Sequence, residues 1–441
     1  MHRFLISFAL FSFALLSTSC ASAGDSDADI PAANEAQTET PPIRNAEATN
    51  TEATNTDVTH NSVMTEAEKF NVWKADFMQR AVAQGYSQDL VARLIAPATI
   101  NPKAIERDKT QPEFTKPVWS YVDGAASASR VNSGETKLAN FRTTFDAIEA
   151  RYQVPRHILT AIWGLETAYG KIMGSDDMVS SLATLAYQGR RRTFAEREML
   201  ALLEMVQDGY VRQDQLVGSW TGAMGMTQFI PTTFRDYAVD FDGDGNKDLW
   251  ESEADALGSA AHYLSRHGWR ASEPVMEEVR VVDGFDYGLT ETTKRTVNQW
   301  TTAGVMTMNG QPWTADAGFL EAKLIAPGGH RGPKFLIFKN FDVIKKYNNS
   351  TSYAMGINVL GEALRGNTVI STPWPRENEA LSFEDKKTMQ RKLTALGYST
   401  GGVDGQVGPN TRKAIRAWQN SLGLPADGYM EQDLLARLLA Q

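Results

Sequence analysis

Cysteine is almost missing: Cys20 is the only one in 441 residues, so no intramolecular disulfide forms and stability must come from core packing and ligands. Positive charge is also short. Lys and Arg total 44 against 53 Asp and Glu, a net charge of −9, which excludes a uniformly basic nucleic-acid face. A polyanionic ligand would be repelled at long range, whereas a neutral or mixed-charge polymer such as a glycan would not. Long apolar runs are lacking too, with one exception from Phe4 to Leu16, too short for a stable membrane span. What remains is ordinary globular composition, 42% hydrophobic and 22% charged, over a length that suits two or more domains.

The exception is a targeting signal. Arg3 precedes the apolar run and small residues follow it, the pattern of a secretory signal peptide over residues 1–23. Ala21-Ser22-Ala23 is an A-x-A cleavage site that would release a soluble protein starting near Gly24. Cys20 instead resembles the lipid-modified first residue of a bacterial lipoprotein, although Ser17 stands where such signals carry Leu and Leu16 is one place early. Either route exports the chain; the expected destination is the periplasm of a Gram-negative bacterium, with an outer-membrane anchor if Cys20 is lipid-modified. Residues 24–65 repeat EATNT and hold almost no large apolar side chain, so ordering them would go uncompensated. They are expected to form a disordered tether.

Helical periodicity begins with Phe70, Trp73, Phe77 and Ala81, stopped by Gly85. It dominates to about residue 270, notably over 137–152, 155–169, 194–208 and 253–267. Between about 275 and 340, "EPVMEEVRVVDGFDYGL" and "GPKFLIFKNF" are β-type runs bounded by Gly, Pro and Asp. The expected fold class is α+β, mostly helical, with a small β insertion in a body over 66–372. Pro373 and Pro375 mark a boundary. Residues 380–441 then show a helix, a turn at Asp404-Gly405, a second helix, a turn at Asp427-Gly428 and a third helix. Asn410 or Thr411 is positioned to cap the second helix. This unit resembles the bacterial peptidoglycan-binding domain. Trp418 replaces the usual Phe, and Glu431 and Leu434 replace the Gly and Thr expected in the second half.

Three stretches of the body carry chemistry. In "ILTAIWGLETAYG", 158–170, the carboxylate of Glu166 shares a helical face with Ile158, Leu159, Ile162 and Trp163. Amphipathic helices normally keep Glu on the opposite face. A carboxyl among Ile162, Trp163 and Leu165 loses hydration, which favours its neutral form and suits a general acid for a glycosidic oxygen. In "GSWTGAMGMTQFIPTTF", 218–234, Gly222, Ala223 and Gly225 permit close backbone approach and Ser219 and Gln228 flank a Met. That suits the lining of a sugar cleft, although tight helix packing accounts for it equally well. "DFDGDGNKDLWE", 240–251, fits the calcium-loop template in full. Asp240, Asp242 and Asp244 supply oxygens, Gly245 makes the turn, Asn246 offers its carbonyl and Glu251 closes the loop. Lys247 stands where paired loops carry an apolar residue, so a solitary structural calcium site is expected.

In combination, GLETAYG, GAMG.TQF.PTTF, DFDGDGN.DLW and KKYNNSTSYAMG resemble the B-type membrane-bound lytic murein transglycosylases, glycoside hydrolase family 103, from about Phe70 to Gly356. The resemblance implies a lysozyme-like α+β core with one catalytic glutamate, matched by Glu166. It implies cleft roles for Ser219, Gln228, Tyr121, Tyr347 and Tyr353. It also brings Asp255 into competition with Glu251 as the last calcium ligand. Most glycosidases pair their acid with a second carboxylate. None stands out beside these motifs, though Asp176 and Asp177 are near in sequence. The family reaction needs none, because the sugar's N-acetyl group and 6-hydroxyl serve in its place. Three readings stay open: a lytic transglycosylase cutting the MurNAc–GlcNAc bonds of peptidoglycan glycan strands, a muramidase that uses water, and a non-catalytic wall-binding protein. The expected oligomeric state is a monomer.

Overall fold

The computed structural model describes residues 64–109, 117–377 and 381–441. The expected signal segment, Cys20 and nearly all of the expected tether lie outside the described residues. Order begins where the periodicity does. The helix Glu66–Ala83 opens with a capping box between Thr65 and Glu68, buries Phe70, Trp73, Phe77 and Ala81, and ends before Gly85 at φ +100°. The segment read as a single helix over 137–152 is the end of one, Ala128–Asn140, and the whole of another, Arg142–Tyr152. The break is at Phe141, whose ψ of 26° leaves the helical range.

Helices Arg156–Thr167, Met178–Gln188, Arg192–Gln207, Glu253–Arg266 and Thr351–Ala363 enclose the main core, with Ile162, Trp163, Leu182, Leu202, Leu257 and Ile357 among its buried residues. A short antiparallel pair, β1 (Asp176–Asp177) with β2 (Val217–Gly218), ties together the loops that follow the first and third of these helices. The β insertion has strands β3 (Met276–Val281), β4 (Lys294–Thr296), β5 (Val305–Thr307), β6 (Glu321–Ile325) and β7 (Lys334–Ile337). They form one antiparallel sheet in the order β4-β6-β7-β3-β5 over its own core of Val279, Trp300, Val305, Leu324 and Leu336. The β-type runs shorten at both ends. Asp286 turns "DYGL" into a single 3₁₀ turn by accepting the Gly288 N–H, and "KNF" starts the helix Lys339–Tyr347.

The C-terminal unit is three helices, Phe383–Ala395, Pro409–Ser421 and Gln432–Leu439, around Met389, Leu393, Ile415, Trp418 and Leu435. Neither Asn410 nor Thr411 caps the second helix. Gly408 is its N-cap and Pro409 its first residue, while buried Thr411 accepts a hydrogen bond from Gln390 Nε2 (3.2 Å). The unit docks on the β6–β7 loop. His330 donates its N–H to Asp427 Oδ2 (2.7 Å), Arg331 pairs with Glu431, and Arg412 pairs with Glu291 at 3.1 Å. The departure at Glu431 from the usual domain pattern therefore serves this contact.

Candidate active site

Every residue from Ile158 to Gly164 is buried, so the helix Arg156–Thr167 is enclosed on all sides. Glu166 lies in its last turn, half-buried where the helix emerges, rather than in the middle of an apolar face. The helix stops there because Ala168, Tyr169 and Gly170 all take positive φ (+49°, +65° and +82°). A non-glycine residue in that region costs about 1–2 kcal/mol, so the surroundings must hold it. The Tyr169 ring packs against Gly134 and Gly164, where a Cβ would come within 2.5 and 2.7 Å of its atoms. Its hydroxyl donates to the Arg130 carbonyl (2.8 Å), and Arg130 Nε donates to the Gly164 carbonyl (3.2 Å). Burial pushes the Tyr169 phenol up to about 12, so it stays a donor. The glycine inside the GLETAYG helix is thus a packing requirement.

Thr167 then joins two motifs. Its Oγ1 accepts the Gly170 N–H (2.9 Å) and donates to the Met226 carbonyl (2.6 Å), clamping the 218–234 loop to the end of the glutamate helix. Within that loop Gly225, at φ +70°, leaves no room for a Cβ against the Leu249 backbone. Gln228, at φ +52°, donates Nε2 to the carbonyls of Gly225 (3.0 Å) and Met173 (3.2 Å). Ser219 is used inside its own turn: its Oγ accepts the N–H groups of Thr221 (3.3 Å) and Ala223 (3.0 Å). Glu198 was not singled out in the sequence. Fully buried in the helix Arg192–Gln207, it accepts the Thr232 N–H and hydroxyl (2.9 and 3.0 Å) and so fixes the far end of the same loop. Burial pushes its carboxyl up, against the pull of those bonds. Its place on the helical face of Ala195, Met199 and Leu202 is the signal that marks it.

The helix Thr351–Ala363 completes the site. Ser350 caps it by accepting the Tyr353 N–H (3.2 Å), and the Tyr353 hydroxyl donates to Glu166 Oε1 at 2.6 Å. Burial, then the Glu166 carboxylate, holds the Tyr353 phenol well above its ordinary value, so it remains protonated. Tyr347 behaves alike for the same two causes and donates to the Thr227 carbonyl (2.5 Å), next to Gln228. Tyr121 rests its ring on Gly356, where a Cβ would stand 3.0 Å away, with Leu165 on the same glycine. Tyr121, Tyr347, Tyr353 and Gln228 are therefore gathered at the Glu166 end of the helix, while Ser219 shapes the loop. Asp176 and Asp177 have other work. Asp176 Oδ2 pairs with Arg107 Nη1 (2.9 Å), and Asp177 caps the helix Met178–Gln188 through the Ser180 N–H (2.6 Å).

The acidic loop brings carboxylate oxygens of Asp240, Asp242 and Asp244 within 4.8 Å of one another. Among the described residues no ion pair joins any of the three to a Lys, Arg or His, so their charges repel one another unless a cation enters. Asp240 also accepts the N–H groups of Gly243 (2.7 Å) and Gly245 (2.9 Å), which closes the loop around that point. Asp255 is fully buried and accepts the N–H groups of Phe241 (2.6 Å) and Asp248 (2.8 Å) from the loop backbone. Glu251 is exposed and gives its own N–H to Asp248 Oδ1 (3.0 Å).

A glutamate at the mouth of a buried helix, tyrosines converging on it and an appended three-helix unit define the class, and comparison agrees. The chain belongs to the Transglycosylase SLT domain family, whose model matches residues 69–362, and a putative peptidoglycan binding domain matches 384–438. Membrane-bound lytic murein transglycosylase B of Escherichia coli is 35% identical over 217 residues, 48% of this chain; the match spans 58% of that relative's length. SltB3 of Pseudomonas aeruginosa, solved in complex with NAG-NAM-pentapeptide, is 45% identical, with TM-score 0.81 over 84% of this chain and 99% of that one. The Escherichia coli lytic transglycosylase Slt35, solved in complex with calcium, is 28% identical, with TM-score 0.59 over 68% of this chain and 93% of that one.

Proposed function

We propose that this protein is a periplasmic lytic transglycosylase that cleaves the β-1,4 MurNAc–GlcNAc bonds of peptidoglycan. The observation that carries the reading is Glu166, held by the Tyr353 hydroxyl at the end of a buried helix in a domain of the matching family. Glu166 gives its proton to the glycosidic oxygen as the C1–O bond breaks, and the N-acetyl oxygen supports the electron-poor anomeric carbon. The resulting carboxylate takes the proton of the sugar's 6-hydroxyl while O6 bonds to C1. The products are a free 4-hydroxyl and a 1,6-anhydro-MurNAc end, with no water consumed and Glu166 protonated again. A donor fixed on Oε1 keeps one carboxyl oriented through both proton transfers. Asp176 and Asp177 are occupied elsewhere, which fits a reaction with a single acid/base.

Ser219, Gln228, Tyr121 and Tyr347 shape the sugar-binding surface around this centre. Calcium suits the acidic loop: Asp240, Asp242, Asp244 and the Asn246 carbonyl would hold it. Asp255 is the better closing residue, because it is already packed against the loop backbone while Glu251 faces solvent. The ion would offset the carboxylate repulsion and stiffen the loop that feeds Leu249 to the 218–234 segment. Residues 380–441 bind the wall, and the segment preceding residue 64 serves as signal and tether, with Cys20 as the site of lipid attachment.

Digestion of sacculi in heavy-oxygen water tests the reaction. The expected product ends in unlabelled 1,6-anhydro-MurNAc, lighter by one water than a hydrolysis product. A labelled reducing end would identify a water-using muramidase, and absence of any muropeptide would identify a binding protein.

A further inference from the structure

The C-terminal domain builds the same clasp twice. In the first, Gln390 donates Nε2 to Asp404 Oδ1 (2.9 Å) and accepts the Gly405 N–H (2.8 Å). In the second, Gln419 donates Nε2 to Asp427 Oδ1 (2.7 Å) and accepts the Gly428 N–H (2.8 Å). Both glycines take positive φ, +74° and +70°. Each Oδ1 also accepts the N–H two residues on, from Gln406 (2.8 Å) and Tyr429 (2.9 Å). The two aspartates are thus held alike through one oxygen, which leaves the other oxygen to act.

In the second clasp that oxygen holds a peptide. Asp427 Oδ2 accepts the His330 N–H, and His330 Nδ1 lies 2.7 Å from the same atom. The preceding residue, Gly329, has φ +66°, and a Cβ on it would fall 2.7 Å from Asp427 Oδ2. That backbone region is open to glycine and to D residues but strained for L residues. Burial opposes charge on Asp427, yet the His330 bonds and the clasp outweigh it and hold the carboxyl below its ordinary value. In the first clasp, no described residue bonds Asp404 Oδ2, and Asp404 is exposed. Two half-exposed apolar side chains stand beside it, with the Lys387 ammonium 4.3 Å from the centre of the Phe383 ring. Phe383, 49% exposed, lies where a Cβ on Gly405 would meet its ring at 2.5 Å, and Val403 is 42% exposed.

We infer that Asp404, with Phe383 and Val403, is the site at which this domain grips the wall. Its ligand is the peptide of peptidoglycan, held by an N–H that follows a D residue. This rests on the reading of residues 380–441 as a wall-binding module. Peptidoglycan peptides contain D residues and small apolar side chains, which supply both the backbone shape seen at Gly329 and partners for Phe383 and Val403. The acetamido N–H groups of the glycan are carried on sugar rings and follow no residue of positive φ, so they do not reproduce the backbone shape at Gly329.

The test is sacculus pelleting with the full mature chain carrying Glu166→Gln, so that the wall is not digested. Asp404→Asn keeps Oδ1 for the clasp and replaces the outer acceptor with a donor. It should lower sacculus affinity at least about tenfold, as expected for losing a hydrogen bond to a charged group, with an unchanged melting curve. The loss should vanish on sacculi stripped of peptides by an amidase. A soluble stem peptide with its natural D residues should compete, and its all-L isomer should not. If Asp404→Asn unfolds the domain, Phe383→Ser leaves the clasp intact and should give the same loss. Wild-type pelleting by both variants, with binding lost on deletion of 380–441, would overturn the site and keep the module. Unchanged pelleting after that deletion would overturn the module reading itself, and equal competition by the all-L peptide would overturn the D-residue assignment.

Discussion

Tyr353 donates its phenolic hydrogen to Glu166 Oε1 across 2.6 Å, joining residues 187 positions apart. The tyrosine is buried and its phenol is held well above the ordinary value, so it stays a donor to the carboxylate. In the proposed mechanism this pair supplies one mobile proton, on Glu166, and one fixed donor, on Tyr353.

Glu166→Gln should leave the fold intact and lower turnover at least about a hundredfold, the lower end for a lost general acid. Circular dichroism and sacculus binding should match the wild type while muropeptide release disappears. Release at the wild-type rate would remove Glu166 from the chemistry.

Tyr353→Phe deletes one hydroxyl and keeps the packed ring. Turnover should fall about ten- to a hundredfold, the size of a hydrogen bond to a charged group, with little change in KM. Steady-state kinetics on short soluble glycans measure the split. An unchanged kcat would reduce Tyr353 to a packing residue.

Millimolar calcium should raise the melting temperature relative to chelator, because an ion bound only by the folded loop stabilises by mass action, about 2.7 kcal/mol at a hundred times Kd. Asp240→Ala with Asp244→Ala should erase the increment, and Asp255→Asn should reduce it more than Glu251→Gln does. Identical melting with and without calcium would mean that the loop is an acidic turn without an ion.

His157 lies in the first turn of the glutamate helix with its pKa lowered to about 4, chiefly by burial. Glu362 (3.7 Å) and Glu149 oppose that shift and Arg365 adds to it. Between pH 6.5 and 4 the unfolded chain binds a proton at this position that the folded one refuses, so stability falls as pH falls through that window. The full effect is about 3 kcal/mol at 1.36 kcal/mol per unit. Melting temperature against pH should therefore slope less in His157→Gln than in the wild type. Parallel curves would show that His157 titrates normally.

Much of this was legible in the chain, because its signals are local. Helical spacing marked Phe70, Trp73, Phe77 and Ala81 as one buried face, and the alternation of acids with Gly245 marked the loop that brings three carboxylates together. Motif order gave the family and both folded units. Where the reading failed, backbone competition decided: Pro409 displaced the expected polar cap, and Phe141 divided one apparent helix into two.

Other features depended on contacts that no window of sequence contains. Glu198 supports Thr232 from another helix, Thr167 reaches the Met226 carbonyl, and Gly164 makes room for the Tyr169 ring. The two Gln–Asp–Gly clasps are alike in sequence, yet one holds the protein's own His330 and the other faces solvent. Spacing fixes which side chains share a local face, since φ and ψ are set residue by residue. Which distant donor fills a carboxylate's last lone pair depends on how whole elements pack, and only the tertiary structure decided that.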